Sequence, residues 1–575
     1  MWIPSLTFLS PLLVLTPPVL AGIHEVWWNI TYVENANPDG LHPRRVIGVN
    51  GTWPPPPISF NNTDTLMVHT TNSVNGLTTL HHHGLFFNST SWMDGVLWVT
   101  QCGIPPGGTF TYQVPVDPTQ WGTYWIHSHA KGQYVDGLRG PVTLHPPQEA
   151  YSYDEEFTVV LGDWYHTEHD ILLAKYLSPT NPEGNEPVPD SGLIYFAQHG
   201  SYLPPKQGTH PTGPTSAVGF NTNATLPFVP GKTYRLRILN ASAFASFYFW
   251  IDGHNMTIIE VDGTDIQKSP IDVLSIATAQ RYSVLVTARN DTSLNWAVHA
   301  NMMTSMFSEV PRSLNPNITS SITYNSSAPL AKVRDPGSVH YHDVNDMALV
   351  PLDVVPQPKA TKTIELEVTF GLMTDRTNRA MFNNITFNYP LVPAEFSALS
   401  LGSNATVQEA YTPLSFVLDH LDVVDLVIKN GDSGSHPFHL HGHAFMIVGR
   451  SANYSSDNPK LNPPVVEGQP NPMRRDTIFI ESGSSATLRF VADNPGVWFM
   501  HCHIEWHLEA GLAVEFIEAP LVMQQRSNVP QSMYDQCRID GTPFSGNAAG
   551  HNSTTDLSGL PLGPFPLPDD STGTE

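Results

Sequence analysis

Four histidine clusters in this chain of 575 residues each contain two histidines separated by a single residue. In a β-strand the side chains of residues i and i+2 point to the same face, whereas in a helix they point in different directions. Each pair therefore predicts a strand that turns two imidazole rings to one side. The pairs are His81/His83, His127/His129, His439/His441 and His501/His503.

The rest of the chain also predicts strands. Short β-branched and aromatic runs such as TLMVHTTN, TYRLRILN and GVWFMHCHI alternate with Gly, Pro and Asn/Asp turns. Runs of this kind at close spacing are typical of sandwiches and barrels. Few stretches have helical periodicity, and His507–Leu512 is predicted as one helical turn. We therefore expect an all-β protein.

The length predicts several domains, because single hydrophobic cores stop growing near roughly 250–300 residues. Two polar, Pro-rich segments, His145–Glu156 and about Asn315–Pro358, are candidate connections. The predicted organisation is a signal peptide (1–21), a first domain (22–147), a second domain (148–328), a linker (329–358), a third domain (359–540) and a C-terminal tail (541–575).

The N-terminal segment up to Ala21 is apolar and has no charged side chain. We interpret it as a signal peptide; a membrane anchor is the alternative, disfavoured because prolines interrupt a run already short for a span. We find no later stretch long enough to cross a bilayer and expect no stable membrane anchor. The formal net charge of −25 makes nucleic acid an unsuitable partner.

Asn-x-Ser/Thr sequons are frequent, which agrees with a glycosylated protein that is secreted, extracellular or associated with the cell wall. They begin at Asn29, Asn61, Asn88, Asn223, Asn240, Asn255, Asn290, Asn317, Asn325, Asn384, Asn404, Asn453 and Asn552. Only three cysteines occur, so an oxidising compartment allows one disulfide and leaves one cysteine over.

Cys502 lies between His501 and His503, so its sulfur points to the opposite face of the strand. There it can meet His436 and His507, and one thiolate with two imidazoles is the trigonal arrangement of a blue copper site. Soft thiolate with imidazole selects copper, and the lack of further thiolates argues against structural zinc. The eight paired imidazoles are too many for one ion and fit three.

The chain resembles the multicopper oxidases of the fungal laccase and ferroxidase group. HHHGLF, GTYWIHSH, HPFHLHGH and HCHIEWHLEAGLA match that family's four copper motifs, in order and over nearly the whole mature chain. The resemblance implies three cupredoxin-like Greek-key domains and four copper ions, with a trinuclear cluster between the first and third domains. The second domain is expected to be a spacer or a wall of the substrate site.

The resemblance also implies which copper each ligand binds. The type 1 copper would take His436, Cys502 and His507, with Leu512 at the axial position; the type 2 copper would take His81 and His439; the type 3 pair would take His83, His127 and His503 on one ion and His129, His441 and His501 on the other. The departure is His82, where the family usually has Trp, and we expect it to support the site from outside or to lie on the surface.

Further roles follow from the same resemblance. Cys102 and Cys537 match a disulfide between the first domain and the C-terminal extension. Asp94 and Glu505 match acids beside the cluster that help protons reach dioxygen. Leu512 cannot donate to copper as a thioether would, so we expect a comparatively high type 1 potential.

The electron donor is the least determined feature. Glu186 and Asp432 match two acids of the iron site in fungal iron oxidases. The third acid position falls in Asn301–Thr304, which has no carboxylate, and Arg379 replaces a tyrosine. Met302, Met303 and Met306 are soft side chains, suited to an aromatic ligand.

These departures favour a laccase-like enzyme, a monomer that oxidises a small phenolic reductant with dioxygen, in which Glu186 or Asp432 accepts the phenol's proton. Phenol coupling in a pigment or secondary-metabolite pathway is one such role. The alternative is a secreted ferroxidase that oxidises Fe(II) to Fe(III). A copper-storage protein without turnover is a third hypothesis, disfavoured by the complete ligand set.

Overall fold

The computed structural model describes residues 22–203, 224–561 and 563–566. The predicted signal peptide and the sequon at Asn223 lie outside these residues. Within them the strands form six sheets, two in each third of the chain, which make up three cupredoxin-like domains. The predicted all-β class is therefore confirmed, whereas the exact domain boundaries stay predictions.

The first domain has two four-stranded sheets, with strand orders β2-β1-β4-β6 and β3-β8-β7-β5. Its strands are β1 (Ile23–Ala36), β2 (Arg44–Val49), β3 (Ile58–Asn61), β4 (Thr65–Asn72), β5 (His81–His83), β6 (Thr109–Pro115), β7 (Gly122–His127) and β8 (Arg139–His145). Burial alternates residue by residue along β4, as expected for a strand with one face on the core.

The second domain pairs a seven-stranded sheet with a five-stranded sheet, in the orders β11-β10-β9-β13-β18-β15-β16 and β12-β20-β19-β14-β17. Its strands are β9 (Glu155–Trp164), β10 (Ser191–Gln198), β11 (Ser201–Tyr202), β12 (Thr225–Pro227), β13 (Thr233–Asn240), β14 (Phe247–Ile251), β15 (Met256–Val261), β16 (Thr264–Ile271), β17 (Leu274–Ile276), β18 (Arg281–Thr287), β19 (Trp296–Met302) and β20 (Asn317–Thr323).

The third domain pairs sheets of six and five strands, in the orders β22-β21-β24-β29-β26-β27 and β23-β31-β30-β25-β28. Its strands are β21 (Lys362–Leu372), β22 (Asn378–Phe382), β23 (Ser415–Leu418), β24 (Val423–Asn430), β25 (His436–Leu440), β26 (Phe445–Ser451), β27 (Arg474–Arg475), β28 (Thr477–Ile480), β29 (Ser485–Val491), β30 (Gly496–Cys502) and β31 (Ala513–Glu518).

Helices are short in the described part of the chain. The α-helices are α1 (His169–Tyr176), α2 (Ala394–Ser400), α3 (Glu505–Glu509), α4 (Pro520–Arg526) and α5 (Gln531–Asp540). The 3₁₀ turns are Ser91–Met93, Thr304–Met306, Pro336–Ser338, Asp346–Ala348, Gly402–Thr406 and Gln408–Ala410. The predicted helical turn at His507–Leu512 is observed two residues earlier, as α3. None of the helices in the described residues is long and apolar enough to cross a membrane.

Two covalent predictions have different outcomes. A disulfide joins Cys102 of the first domain to Cys537 of α5, as the resemblance implies. The predicted glycan at Asn240 conflicts with the structure, because that residue is fully buried and its Nδ2, the atom that would carry the sugar, donates to the carbonyls of Ala245 and Ile276. The other sequon asparagines among the described residues are exposed or half-buried.

Candidate metal centre

Neighbouring antiparallel strands carry both members of the pair His81/His83 and the first member of each other pair, while the second members, His129, His441 and His503, lie just beyond the ends of β7, β25 and β30. In the first domain β5 pairs with β7, which places His81 opposite His127. In the third domain β25 pairs with β30, which places His439 opposite His501. Because alternate residues share a face, the strands of the two domains present their imidazoles to one buried space.

The eight paired histidines form three groups whose candidate ligand atoms all lie within 4.8 Å of one another. The groups are His81, His83 and His439; His83, His127 and His503; and His129, His441 and His501. Each group combines residues from the first and third domains. The structure therefore brings together the residues predicted for the type 2 and type 3 coppers, whose individual ligand roles stay predictions.

Hydrogen bonds fix the orientation of these rings. Nδ1 of His81 donates to the carbonyl of Asp94 at 2.7 Å, and Nδ1 of His439 donates to the carbonyl of Asp476 at 2.9 Å. Nδ1 of His127 donates to the carbonyl of Ser128 at 3.0 Å in the same way. A ring nitrogen bound to a carbonyl must carry the hydrogen, so the opposite nitrogen holds a free lone pair, as metal-binding histidines require.

The lone pairs have no protein partner. Within the described residues Nε2 of His81, His127 and His439 is buried without a hydrogen bond, as are both ring nitrogens of His503. Burial, aided by neighbouring imidazoles, lowers the pKa of His127 and His503 well below the ordinary value, so these rings are neutral. A cluster of neutral, buried and unpartnered imidazole nitrogens fits copper, since nitrogen ligands must be deprotonated to bind metal.

A separate group lies on the opposite face of β30. The Cys502 sulfur is 3.7 Å from Nδ1 of His436 and 3.5 Å from Nδ1 of His507, and the two nitrogens are 3.0 Å apart. Cys502 is the free cysteine, because the other two form the disulfide. A thiol and two imidazoles within reach of one ion fit the predicted type 1 site. Leu512, the residue predicted for the axial position, is fully buried, and its carbonyl accepts a hydrogen bond from the amide of Cys502.

The predicted proton donors lie beside the cluster. Asp94 is fully buried, with Oδ2 2.8 Å from Nδ1 of His441 and Oδ1 3.1 Å from Nδ1 of His81. Glu505 lines a small cavity together with His127, His129, His501 and His503. Burial, together with the charge of Glu509, raises the pKa of Glu505 well above its ordinary value.

Glu186 and Asp432 contact the outward sides of His507 and His436, the two histidines predicted for the type 1 copper. Glu186 Oε1 is 2.9 Å from Nε2 of His507, and Asp432 Oδ2 is 3.2 Å from Nε2 of His436. Burial acts to raise the pKa of Asp432, but the hydrogen bond and charge of His436, together with hydrogen bonds from the backbone amides of Ser433 and Gly434, lower the pKa to about 2. Both carboxylates remain partly open, with 19% and 23% of their side chains exposed. The two partly exposed acids therefore border the predicted type 1 site.

Three other residues bear on the predicted substrate pocket. Met302 is 2% exposed and belongs to β19, so it cannot contact a substrate. Arg379 is half-buried and donates from Nε to Thr377 at 3.0 Å. Phe370, which the sequence did not single out, lies flat against His436 with ring centroids 5.7 Å apart and contacts His507 edge-on at 4.9 Å.

His82 lies away from the cluster but not at the surface. It is 1% exposed and packs against Phe87 and Tyr112 on the other face of β5. Burial lowers the pKa of His82 to about 3, so the ring is neutral. Of the two expected roles, the surface location is wrong, because the outward face of β5 is covered by its own domain, and support of the site from outside stays a prediction.

Sequence reasoning missed Asp476 and Arg281. Asp476 contacts His83 and His439, and Arg281 of the second domain binds Asp476 through two hydrogen bonds. Asp476 lies in the segment MRRDT, residues 473–477. The available signal was an aspartate that directly follows two arginines, in a chain with several histidine pairs.

The fold and the site together define a copper-dependent oxidase. Multicopper oxidase family models match residues 30–149, 155–327 and 378–522. The chain therefore belongs to the multicopper oxidase family. As a member it uses four copper ions, one of type 1, one of type 2 and a type 3 pair, with dioxygen as the electron acceptor.

Curated relatives carry names that refer to iron. The iron multicopper oxidase fer1 of Mycosarcoma maydis is 48% identical over 96% of this chain and 89% of its own length. The iron transport multicopper oxidase fetC of Epichloe festucae is 41% identical over 94% of this chain and 84% of its own length.

Among solved structures, a protein that functions in iron import is more similar to this chain than a laccase is. Fet3p, described as a multicopper oxidase that functions in iron import, has a TM-score of 0.85 and 36% identity, covering 95% of this chain and 100% of its own. The laccase of Botrytis aclada has a TM-score of 0.72 and 28% identity, covering 91% of this chain and 92% of its own.

The expected laccase activity on phenols is therefore wrong, and so is the pigment pathway. The relatives at 38–48% identity are iron oxidases by name, and they favour the alternative. The sequence argument gave too much weight to the methionines, of which Met302 is buried and Met303 and Met306 are half-buried. Glu186 and Asp432, which match the iron site, contact His507 and His436.

Proposed function

We propose that the protein oxidises Fe(II) to Fe(III) outside the cell, with dioxygen as the final acceptor. The observation that carries this proposal is the pair of carboxylates, Glu186 and Asp432, on the outward nitrogens of His507 and His436. Carboxylate oxygen is a hard ligand and suits a hard cation. The names of the iron-oxidase relatives support the same substrate.

The two carboxylates bind Fe(II) and also favour its oxidation. Fe(III) carries one more positive charge than Fe(II), so two nearby negative charges stabilise the product more than the substrate. The hydrogen bonds from His436 and His507 hold the carboxylates in place before iron arrives. Because the acids come from the second and third domains, the iron site lies at a domain boundary.

We further propose that His436, Cys502 and His507 hold the type 1 copper and that the eight paired histidines hold the other three. Bound copper would supply one-electron redox chemistry. Four Fe(II) ions would each give up one electron, and these four electrons with four protons would reduce one dioxygen to two waters. Asp94 and Glu505 lie beside the buried space where oxygen is reduced, within reach to pass protons to it.

The test is a comparison of Fe(II) and a diphenol as substrates for the secreted, copper-loaded enzyme. The Glu186→Gln/Asp432→Asn variant should lower kcat/KM for Fe(II) by about 10–100-fold for each lost charged contact, because such contacts are worth roughly 1.5–3 kcal/mol. Turnover of the diphenol should fall much less, since a neutral phenol gains little from the two charges.

The matched control is Glu183→Gln, which removes an exposed carboxylate three residues from Glu186. It should leave both activities unchanged. The proposal fails if the double variant retains wild-type kcat/KM for Fe(II), or if the wild-type enzyme turns over the diphenol more efficiently than Fe(II).

A further inference from the structure

Asp476, between β27 and β28, contacts histidines from two domains. Its Oδ1 lies 3.2 Å from Nε2 of His83, and its backbone carbonyl accepts a hydrogen bond from Nδ1 of His439 at 2.9 Å. Its neighbour Thr477 donates from its hydroxyl to the same Oδ1 at 2.8 Å. The Asp476 carboxylate and carbonyl therefore fix which nitrogen of each ring bears the hydrogen, and they leave the other nitrogen facing the cluster.

The carboxylate is in turn held by Arg281, the first residue of β18 in the second domain. Nη1 of Arg281 donates to Oδ1 of Asp476 at 2.7 Å, and Nη2 donates to Oδ2 at 2.6 Å. Arg281 is fully buried and Asp476 is 2% exposed. Two parallel hydrogen bonds between a planar guanidinium and a carboxylate fix direction as well as distance, which a single contact cannot do.

Arg281 has little freedom of its own. Its Nε donates to the carbonyl of Thr123 at 2.9 Å and its Nη1 also donates to the carbonyl of Ala279 at 3.2 Å. Its backbone amide donates to Oδ1 of Asp262 at 2.8 Å. Contacts with the first and second domains therefore orient the guanidinium independently of its contact with Asp476 of the third domain.

The chain after His83 packs directly against this ion pair. Gly84 has φ +90°, and a Cβ atom there would lie 2.8 Å from both Nη2 of Arg281 and Oδ2 of Asp476. No larger side chain fits at that position without displacing the pair. The contact excludes water from one side of the ion pair and ties its position to the strand that carries His81 and His83.

We propose that Arg281 is a positioning residue for the trinuclear copper cluster, acting through Asp476 on His83 and His439. The second domain carries none of the proposed copper ligands, yet Arg281 makes it part of the support for the cluster. Loss of the guanidinium leaves the Asp476 carboxylate buried without its counter-charge. The carboxylate then reorients or draws in water, and both rings lose their fixed direction.

The test uses the full-length, copper-loaded protein and three variants. Arg281→Met removes the guanidinium, and Arg281→Lys keeps the charge but not the paired hydrogen bonds. Arg489→Met is the matched control, because Arg489 is also fully buried and makes a paired contact with Asp425 in the third domain, and its hydrogen-bond partners include none of the paired histidines. The readouts are copper per protein during titration with a chelator, the type 1 and type 2 signals in electron paramagnetic resonance, and the thermal midpoint of unfolding.

Arg281→Met should bind the cluster coppers about 10–100-fold more weakly, as removal of comparable supporting contacts does. Its type 2 signal should be lost or altered while the type 1 signal persists. Arg281→Lys should fold and bind four coppers with an altered type 2 hyperfine splitting. Arg489→Met should lower the thermal midpoint and leave the copper content and both signals at wild-type values.

A wild-type type 2 signal and copper affinity in Arg281→Met would overturn the proposal. The same loss of cluster copper in Arg489→Met would overturn it too, because the effect would then reflect general stability. If Arg281→Met does not fold, Arg281→Lys decides: an unaltered type 2 signal contradicts a positioning role, and an altered one supports it.

Discussion

The backbone amide of Cys502 donates a hydrogen bond to the carbonyl of Leu512 at 3.1 Å, and the amide of Leu512 donates to the carbonyl of His507 at 2.9 Å. The chain thus leaves β30 at Cys502, forms α3 and returns to Cys502 at Leu512. These bonds hold three of the residues assigned to the type 1 site in one closed loop. The residue next to the backbone of Cys502 is Leu512, whose apolar side chain is fully buried.

Leu512→Met should lower the reduction potential of the type 1 copper. A thioether can donate to copper and stabilise its oxidised state, whereas leucine cannot. Leucine and methionine have similar volumes, so the stability cost should stay below about 1.5 kcal/mol. A redox titration that follows the visible absorption measures the change. Leu488→Met, a buried substitution in β29, is the control, and equal potentials in both variants would refute an axial role for Leu512.

Cys502→Ser should abolish the visible absorption and the oxidation of Fe(II) together. A serine hydroxyl is a hard, weakly donating group and cannot replace a thiolate as a copper ligand. The paired histidines lie on the other face of β30, so the variant should retain the cluster coppers. Absorption spectroscopy with copper analysis tests both points, and a variant that kept its colour would show that the ligand assignment is wrong.

The histidine constellation was predictable from the sequence because its information is local. Alternation along an extended chain predicts that His501 and His503 face one way and Cys502 the other, and the structure keeps this arrangement although β30 ends at Cys502. The motifs around these residues supplied the rest of the ligand set. The all-β class followed from the same local patterns.

Other features depend on contacts between distant residues and were not predictable. Arg281 and Asp476 are 195 positions apart and meet only when all three domains are assembled. The sequon at Asn240 is intact in the sequence, yet its amide is buried. The preference for a phenol failed for the same reason, because the sequence did not reveal that Met302 points into the core while Glu186 and Asp432 reach the type 1 histidines.

Removal of the disulfide should destabilise the attachment of the C-terminal segment. The bond between Cys102 and Cys537 closes a loop of 435 residues and joins the first domain to α5. Loss of a native disulfide typically costs about 2–5 kcal/mol, mainly through the greater freedom of the unfolded chain. The Cys102→Ser/Cys537→Ser variant should therefore unfold at a lower temperature in a calorimetric scan. Addition of a reductant should lower the midpoint of the wild-type protein and leave the variant unaffected, and equal midpoints for variant and wild type would contradict this role.

Glu395 predicts a specific pH dependence of stability. It belongs to α2 and is fully buried, where it accepts hydrogen bonds from the Ser91 hydroxyl at 2.9 Å. Burial, aided by the charge of Asp94, raises the pKa of Glu395 to about 8. Between the pKa of an unfolded glutamate and pH 8, the folded state therefore binds a proton that the unfolded state has lost. The free energy of unfolding must fall as the pH rises through this window.

Glu395→Gln should remove that dependence, because an amide stays neutral at every pH. The variant should gain stability relative to wild type as the pH rises from 5 to 8, by up to about 1.4 kcal/mol for each pH unit. Urea unfolding at several pH values measures this difference, with Glu409→Gln as the control because Glu409 is exposed. Other buried carboxyls titrate in the same range, so the difference between variant and wild type, rather than either curve alone, carries the information. A difference that stays constant from pH 5 to 8 would mean that Glu395 ionises alike in both states, and that the contact between α2 and Ser91 does not depend on a protonated carboxyl.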